Sequence, residues 1–267
     1  MSVYADRVVV VTGASEGIGR ALCLELARRR ARLVVAARNV ERLQTLAMRC
    51  RDLGAQVLVQ PVVVTAADSC RALIEATVAH HGTLDVLVNN AGGTMWTPFA
   101  AIEDLSIFDR MMRLNYLGSV YPTFYALPYL KQSRGRLVGV ASVAGLTGIP
   151  TRTAYAAAKH AAVGFFDSLR IELRGSGVSV TIVCPDFVLS ETHRRALGAD
   201  GKPLGKSPLD ESRIMTAERC AALMAHAIAR RRRLLITSLR GRAGRWLGVI
   251  APALIDRIAA RAIRRGH

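Results

Sequence analysis

Tyr155 and Lys159 stand four residues apart in an alanine-rich run, T-A-Y-A-A-A-K, whose composition favours helix. At that spacing both side chains share one helix face, about 5–6 Å apart at Cβ. An ammonium beside a phenol favours the phenolate, so the lysine is expected to draw the tyrosine below its ordinary pKa of about 10. A phenol tuned this way gives or takes a proton at an alcohol or carbonyl oxygen. Ser142, thirteen residues before Tyr155, lies at the end of the apolar run Leu137-Val138-Gly139-Val140, where its hydroxyl is placed to hold the same oxygen. A Y-x-x-x-K spacing alone is common; its weight comes from what surrounds it.

The second chemical signal lies near the start. Arg7–Thr12 (R-V-V-V-V-T) reads as a buried parallel strand. It runs straight into Gly13-Ala14-Ser15-Glu16-Gly17-Ile18-Gly19 and then a helix with an apolar face of Ala21, Leu22, Leu24 and Leu26. Glycines there let the backbone turn sharply and approach a pyrophosphate, which then sits at the helix N-terminus. After the second strand, Leu33–Ala37, an NAD-binding unit would carry an acid, but this chain has Arg38. An arginine there pairs with a 2′-phosphate, which points to NADP(H) as cofactor, with NAD(H) as the alternative.

These residues need a scaffold, and the rest of the pattern supplies one. Helix Val40–Leu53, strand Gln56–Val64, helix Ser69–His80 and strand Leu84–Asn89 continue the alternation. A helix from Ile102 to Arg113, a longer one running on toward Leu130, a strand ending at Ser142 and a helix carrying Tyr155 and Lys159 to about Leu173 follow. Strand Ser179–Cys184, helix Ala217–Arg230 and strand Leu234–Thr237 complete it. The expectation is a single α/β unit: a Rossmann-type doubly wound parallel sheet of about seven strands with helices on both faces. Asn89-Asn90-Ala91-Gly92 then falls at the carboxyl edge, where such sheets bind ligands.

We assign residues 1–240 to a dinucleotide-binding and catalytic domain and 241–267 to a basic amphipathic extension. Glu191–Arg213, rich in Gly, Pro and charge with little apolar periodicity, reads as a mobile flap over the site. The net charge of +17 is uneven: residues 228–267 hold eleven arginines and one acid, a local charge of +10, against +7 for everything before them. In the extension, Leu254, Ile255, Ile258, Ala259, Ala262 and Ile263 form one stripe, with Arg257, Arg261, Arg264 and Arg265 on the polar side. Such a helix, with Trp246 nearby, suits an anionic membrane surface; folding back on its own subunit or on a dimer mate is the other reading. Its longest uncharged apolar run, Trp246–Ile255, has ten residues, too few to span a bilayer. No nucleic-acid reading motif accompanies the arginines, so nucleic acid is not an expected partner.

Five scattered cysteines (Cys23, Cys50, Cys70, Cys184, Cys220) form no C-x-x-C pair, which argues for reduced thiols and against a disulfide framework or metal site. With a first strand beginning by Arg7, no signal peptide is expected. The expected location is cytoplasmic, or peripheral at the inner face of a membrane.

Taken together, Thr12-Gly13-x-x-x-Gly17-x-Gly19, Asn89-Asn90-Ala91-Gly92, Asn115, Ser142, Tyr155-x-x-x-Lys159 and Pro185 resemble the short-chain dehydrogenase/reductase family over roughly residues 5–240. The resemblance implies roles. Tyr155 would be the acid/base, Lys159 would hold the nicotinamide ribose, and Ser142 would polarise the substrate oxygen. Asn115 would fix a water that passes protons to Lys159. Gly13, Ser15, Gly17, Ile18 and Gly19 would shape the pyrophosphate turn, supported by Asn89 and flanked by Ala91 and Gly92. Pro185 and Val188 would meet the carboxamide side, with Ser190 at the family's usual Thr. The reaction implied is hydride transfer between a ketone and a secondary alcohol, run by a homodimer or homotetramer. A soluble 3-oxoacyl or small-carbonyl reductase is the alternative, and a non-catalytic dinucleotide sensor the alternative of another class.

Three departures from the family pattern stand out. Val63-Val64-Thr65 lacks the usual Asp, Pro185-Asp186 replaces Pro-Gly, and Glu16 stands where many NADP-preferring members carry Lys or Arg, which leaves phosphate binding largely to Arg38. The extension makes the chain similar to the 11β-hydroxysteroid dehydrogenase-like and 3-ketosphinganine reductase-like members, which act on lipophilic substrates. Met95, Trp96, Leu146, Ile149, Phe187 and Leu189 are apolar candidates for such a pocket.

Overall fold

Alternation along the strands builds the centre of the molecule. In β1 (Val8–Thr12), Val8 and Val10 join one buried cluster while Val9 and Val11 join another, on the opposite face of the sheet. β2 (Arg32–Ala37) repeats the division, with Val34 and Ala36 on the first side and Leu33 and Val35 on the second. A strand buried on both faces is largely apolar on both, which is why these segments read as near-continuous aliphatic runs. The computed structural model describes residues 2–211 and 214–264, without the side chains of Ala259 and residues 261–264.

The remaining strands are β3 (Val57–Pro61), β4 (Val86–Asn89), β5 (Arg136–Val140), β6 (Ser179–Cys184) and β7 (Leu234–Ile236). All pairings are parallel, in the order β3-β2-β1-β4-β5-β6-β7. The order reverses between β1 and β4, so connections leave those two strands toward opposite sides and open a crevice at their carboxyl ends.

One face is covered by α1 (Gly17–Arg28), α2 (Val40–Asp52) and α7 (Ala217–Ala229), which contribute Leu22, Leu26, Leu43, Leu46 and Met224 to the core. The other carries α3 (Ala67–His81), α5 (Gly118–Gln132) and α6 (Thr153–Glu172), through Leu73, Ile74, Leu130 and Phe166. Full burial of each such leucine contributes about 2 kcal/mol. α4 (Ser106–Met112) passes into a π-helical turn, Arg113–Leu117, before α5 begins. α8 (Leu239–Ile250) and α9 (Pro252–Arg264) follow β7. The seven-stranded doubly wound sheet is thus as expected, while several element ends differ.

The strand expected to reach Val64 ends at Pro61: the Val62 N–H makes the last bond to Ala37 O, and the Val63 N–H turns to the Ser69 hydroxyl. The helix expected from Ile102 begins at Ser106, because the Asp104 carboxylate accepts from the Ser106 backbone N–H and hydroxyl and fixes a turn there. The boundary drawn at residue 240 falls inside α8, whose N-cap Ser238 accepts from the Gly241 N–H. The segment read as a flap is stitched to the body: Trp96 N–H donates to Leu197 O, Leu197 N–H to Thr94 O and Glu103 N–H to Ala199 O. His193, Ala196 and Leu197 are buried in it. Arg213, its last expected residue, and Arg265 of the tail's polar side lie outside the described residues, as do the side chains of Ala259, Arg261, Ala262, Ile263 and Arg264.

Candidate active site

A cleft of about 920 Å³ runs along the carboxyl edge of the sheet. At one end lies the glycine-rich turn. Thr12, the last residue of β1, ties it to β4: its hydroxyl accepts from the Asn90 and Ala91 N–H groups and donates to Val88 O. Gly13 has φ +64° and packs so closely that an added Cβ would lie 2.8 Å from Ala91 Cα. A Cβ on Gly19 would come within 2.3 Å of Gly13 O, so both positions need glycine. Glu16, the N-cap of α1, makes no side-chain hydrogen bond to the helix, leaving the first amides of α1 free of a side-chain cap at the cleft wall. Gly13, Ser15, Gly17, Ile18, Ala91, Gly92, Pro185, Val188 and Ser190 all line the cleft, and the Ser190 Cβ lies 3.2 Å from the place a Gly17 Cβ would occupy.

Asn89 does not reach the turn. It is buried with its side-chain amide donating to the Thr123 hydroxyl of α5. The support comes from Asn90, whose amide donates to Thr12 O and Gly13 O. Successive strand residues face opposite sides, so only one of the two asparagines can turn toward the loop.

Around the crevice stand the residues expected to do the chemistry. Ser142 follows β5, is buried, and caps a short turn by accepting from Ala144 N–H. Tyr155 and Lys159 rise from the first turns of α6, and Asn115 projects from the π-helical turn, where its Nδ2 donates to Met111 O and its Oδ1 accepts from Gly93 N–H. Asn115 Oδ1 and Lys159 Nζ flank Gly92, 2.8 and 3.5 Å from its Cβ position. All four side chains line the one cleft.

The electrostatics differ from the expected pairing. Lys159 Nζ donates to Val140 O at 2.9 Å and sits 5.7 Å from the Tyr155 ring centre. Burial pushes the Tyr155 phenol above its ordinary range; a Ser142 hydrogen bond and then the charge of Arg152 oppose it. Burial also brings the Lys159 ammonium down to about 8.

Arg38 and Arg42 line the cleft beyond β2, where the Asn39 side chain caps α2. Glu16 is neutralised by two cations, Arg42 at 2.9 Å and Arg195 from the segment after β6. Arg42 was not anticipated, although it lies one helical turn beyond Arg38; Arg195 carried no sequence signal. Asp186, at the family's usual Gly, accepts from Arg240 Nη2 (2.9 Å) and the Ser238 hydroxyl (2.7 Å), both of the turn that opens α8. Burial pushes this carboxyl up, but those hydrogen bonds overcome it and hold the group below its ordinary range.

Of the apolar pocket candidates, Ile149 and Phe187 line the cleft. Met95 is fully buried in a cluster with Ile107 and Leu197, Leu146 packs with the core of the α6 side, and Leu189 is 40% exposed away from the cleft. Trp96 lies behind Arg152, with the guanidinium 4.0 Å over its ring. Arg152, Arg110 and His193 are polar wall residues that sequence reasoning passed over. Among the described residues, no three His, Cys, Asp or Glu side chains cluster to hold a metal, and all five cysteines are free and buried.

Residues 7–199 match a family profile described as short chain dehydrogenase. The chain is similar to a protein of Pinus massoniana named 11-beta-hydroxysteroid dehydrogenase, 42% identical over 75% of this chain and 56% of that protein, so it spans little more than half of that relative's length. An Arabidopsis thaliana 11-beta-hydroxysteroid dehydrogenase-like 4A is 36% identical over 93% of this chain and 82% of that one. Among solved structures, a short chain dehydrogenase/reductase from Burkholderia phymatum in complex with NAD superposes with a TM-score of 0.84 at 26% identity, covering 95% of this chain and 96% of that one. An alcohol dehydrogenase from the archaeon Thermococcus sibiricus complexed with 5-hydroxy-NADP gives 0.74 at 26% identity over 86% of this chain and 95% of the other.

Proposed function

The chain belongs to the short-chain dehydrogenase/reductase family, and on that premise we propose that it reduces a bulky, largely apolar ketone to a secondary alcohol with NADPH. One observation carries this reading: Ser142, Tyr155, Lys159 and Asn115 share a single cleft with a glycine turn that leads into the α1 N-terminus. The turn fits a pyrophosphate, since its glycines leave the backbone bare and the first amides of α1 take no side-chain cap. Bound there, a nicotinamide supplies the hydride to the carbonyl carbon.

The protein's part is positioning and proton handling. Ser142 donates a hydrogen bond to the carbonyl oxygen, and Tyr155 passes its phenolic proton to that oxygen as negative charge develops on it. At neutral pH the phenol carries its proton, since burial moves its titration up and not down, and that proton is the one given to the developing alkoxide. Lys159 and Asn115, together beside Gly92, form the route by which Tyr155 regains its proton. Arg38 at the end of β2 favours NADPH over NADH, with Arg42 beside it, paired to Glu16, adding to the positive charge there. The names of the curated relatives support a steroid-like substrate.

Initial rates with NADPH and NADH across ketones from steroids to short acyl thioesters test the proposal. It expects at least about tenfold better kcat/KM with NADPH, since one charge-assisted bond is worth that much. NADH preference, or turnover confined to small carbonyls, contradicts it.

The same reading places the tail on an anionic membrane surface. No helix among the described residues is long and apolar enough to cross a membrane. α8 and α9 nevertheless expose Trp246 (67%), Val249 (77%), Ile250 (77%), Leu254 and Ile258 beside Arg245 and Arg257. Flotation with phosphatidylglycerol vesicles, lost in phosphatidylcholine and in the W246E/I250E double variant, is the expected result; no flotation with either lipid refutes it.

A further inference from the structure

Arg152 is an unusual wall for a cleft meant for an apolar ketone. It is the residue before α6, three positions ahead of Tyr155, and only 4% of it is exposed. Its guanidinium is held in an aromatic slot, 4.0 Å from the Trp96 ring centre and 5.0 Å from that of Phe187, and 5.9 Å from that of Tyr155. Its Nε and Nη2 are buried and donate to no acceptor among the described residues. Asp186, whose charge acts on the guanidinium without a hydrogen bond to it, makes its own hydrogen bonds to Arg240, Ser238 and the Phe187 N–H. Burial lowers the guanidinium pKa only to about 10, so the group is cationic at neutral pH. Beside it, His193 is 8% exposed, with Nε2 on Val188 O and Nδ1 without a partner.

A buried, charged, unpaired donor is among the costliest arrangements a protein can hold, and folds keep such groups paired. Stacking on Trp96 and Phe187 answers the faces of the guanidinium but not its edge, where the N–H bonds point. The edge is the part that binds a carboxylate, two oxygens at a time.

From this we infer that the cleft takes an oxo acid: a carbonyl compound with an apolar body whose carboxylate pairs with the edge of Arg152 a few bonds from the carbonyl that meets Tyr155. The inference rests on the reductase reading above and adds to it the class of substrate. Slot and acid/base share the residues around the first turn of α6, so the anion's grip and the carbonyl's position are set by one rigid element.

The test is a calorimetric titration of the protein with NADP⁺ present, using 4-oxodecanoate and its methyl ester as a matched charged and neutral pair. The acid is expected to bind at least about tenfold tighter than the ester, the worth of a charge-assisted pair. R152M, which keeps the bulk in the aromatic slot, should erase that preference, and R152K should keep part of it because the charge remains. R152M should melt no lower than the natural protein, since it removes an unpaired buried charge. Equal affinity for acid and ester, or an acid preference that survives in R152M, overturns the anion site; if R152M does not fold, a preference unchanged in R152K does so. NADPH consumption separates this from the reductase reading: neutral ketones reduced without any acid preference leave the reductase and remove the anion site. Acid-selective binding with no ketone reduced leaves the anion site and removes the reductase.

Discussion

Lys159 shows how strongly position alters a side chain. In water its ammonium would titrate at 10.5; buried at the foot of the cleft it does so at about 8. Between those two values the unfolded chain holds a proton that the folded one has released, so this residue's contribution makes stability rise with pH across that window. Below pH 8 the charged lysine stays buried at a cost on the order of 3 kcal/mol. K159M should therefore be more stable than the natural protein at neutral pH, by several degrees in Tm, with the gap closing as pH climbs through and beyond 8. A gap that stays constant over that range contradicts the assignment of the cost to Lys159. At the residue scale the sequence was a good guide to membership and a poor one to contacts. Tyr155, Lys159 and Ser142 were readable from type and spacing, and Asn115 only through the family resemblance. That Lys159 would turn to Val140 O, or that burial would hold the phenol above its ordinary range, depends on packing that spacing does not encode.

At the scale of elements, the interiors were legible and the ends were not. Aliphatic runs place β1, β2 and β6 within a residue of where they lie, because a strand buried on both faces is mostly apolar on both. Ends depend on single hydrogen bonds. Asp104 starts α4 late through the Ser106 amide, and Ser69 draws the Val63 N–H out of any extended strand with its hydroxyl. The apolar run Trp246–Ile255, readable as one stretch, is divided at Ala251 because Pro252 suits the first position of a new helix better than the interior of an old one. Asp186, which looked like an odd charge at a glycine position, secures the opening turn of α8 through Ser238 and Arg240. The departure from the family pattern thus joins the tail to the site, and the segment after β6 does the same from the other side through Arg195 and Glu16.

Over the whole molecule, a parallel sheet that reverses order between β1 and β4 leaves one crevice, and every residue with a proposed chemical role lies on it or directly behind it. The alternation of strand and helix made that architecture readable from the sequence. What it hid is the lining. The segment 191–211 has no periodicity, yet its Ala196 and Leu197 are buried and its His193 and Arg195 reach the cleft, so the wall came out more polar than the apolar residues of the sequence suggested. The central claim is that this crevice is an acid/base site for hydride chemistry with Tyr155 as the proton donor. Its most direct test is the steady-state rate of NADPH consumption, with the best ketone found, in the natural protein and in Y155F. The account predicts a fall of at least about 100-fold in kcat for Y155F, with NADPH affinity within a few-fold of the natural protein. Turnover unchanged in Y155F would contradict it.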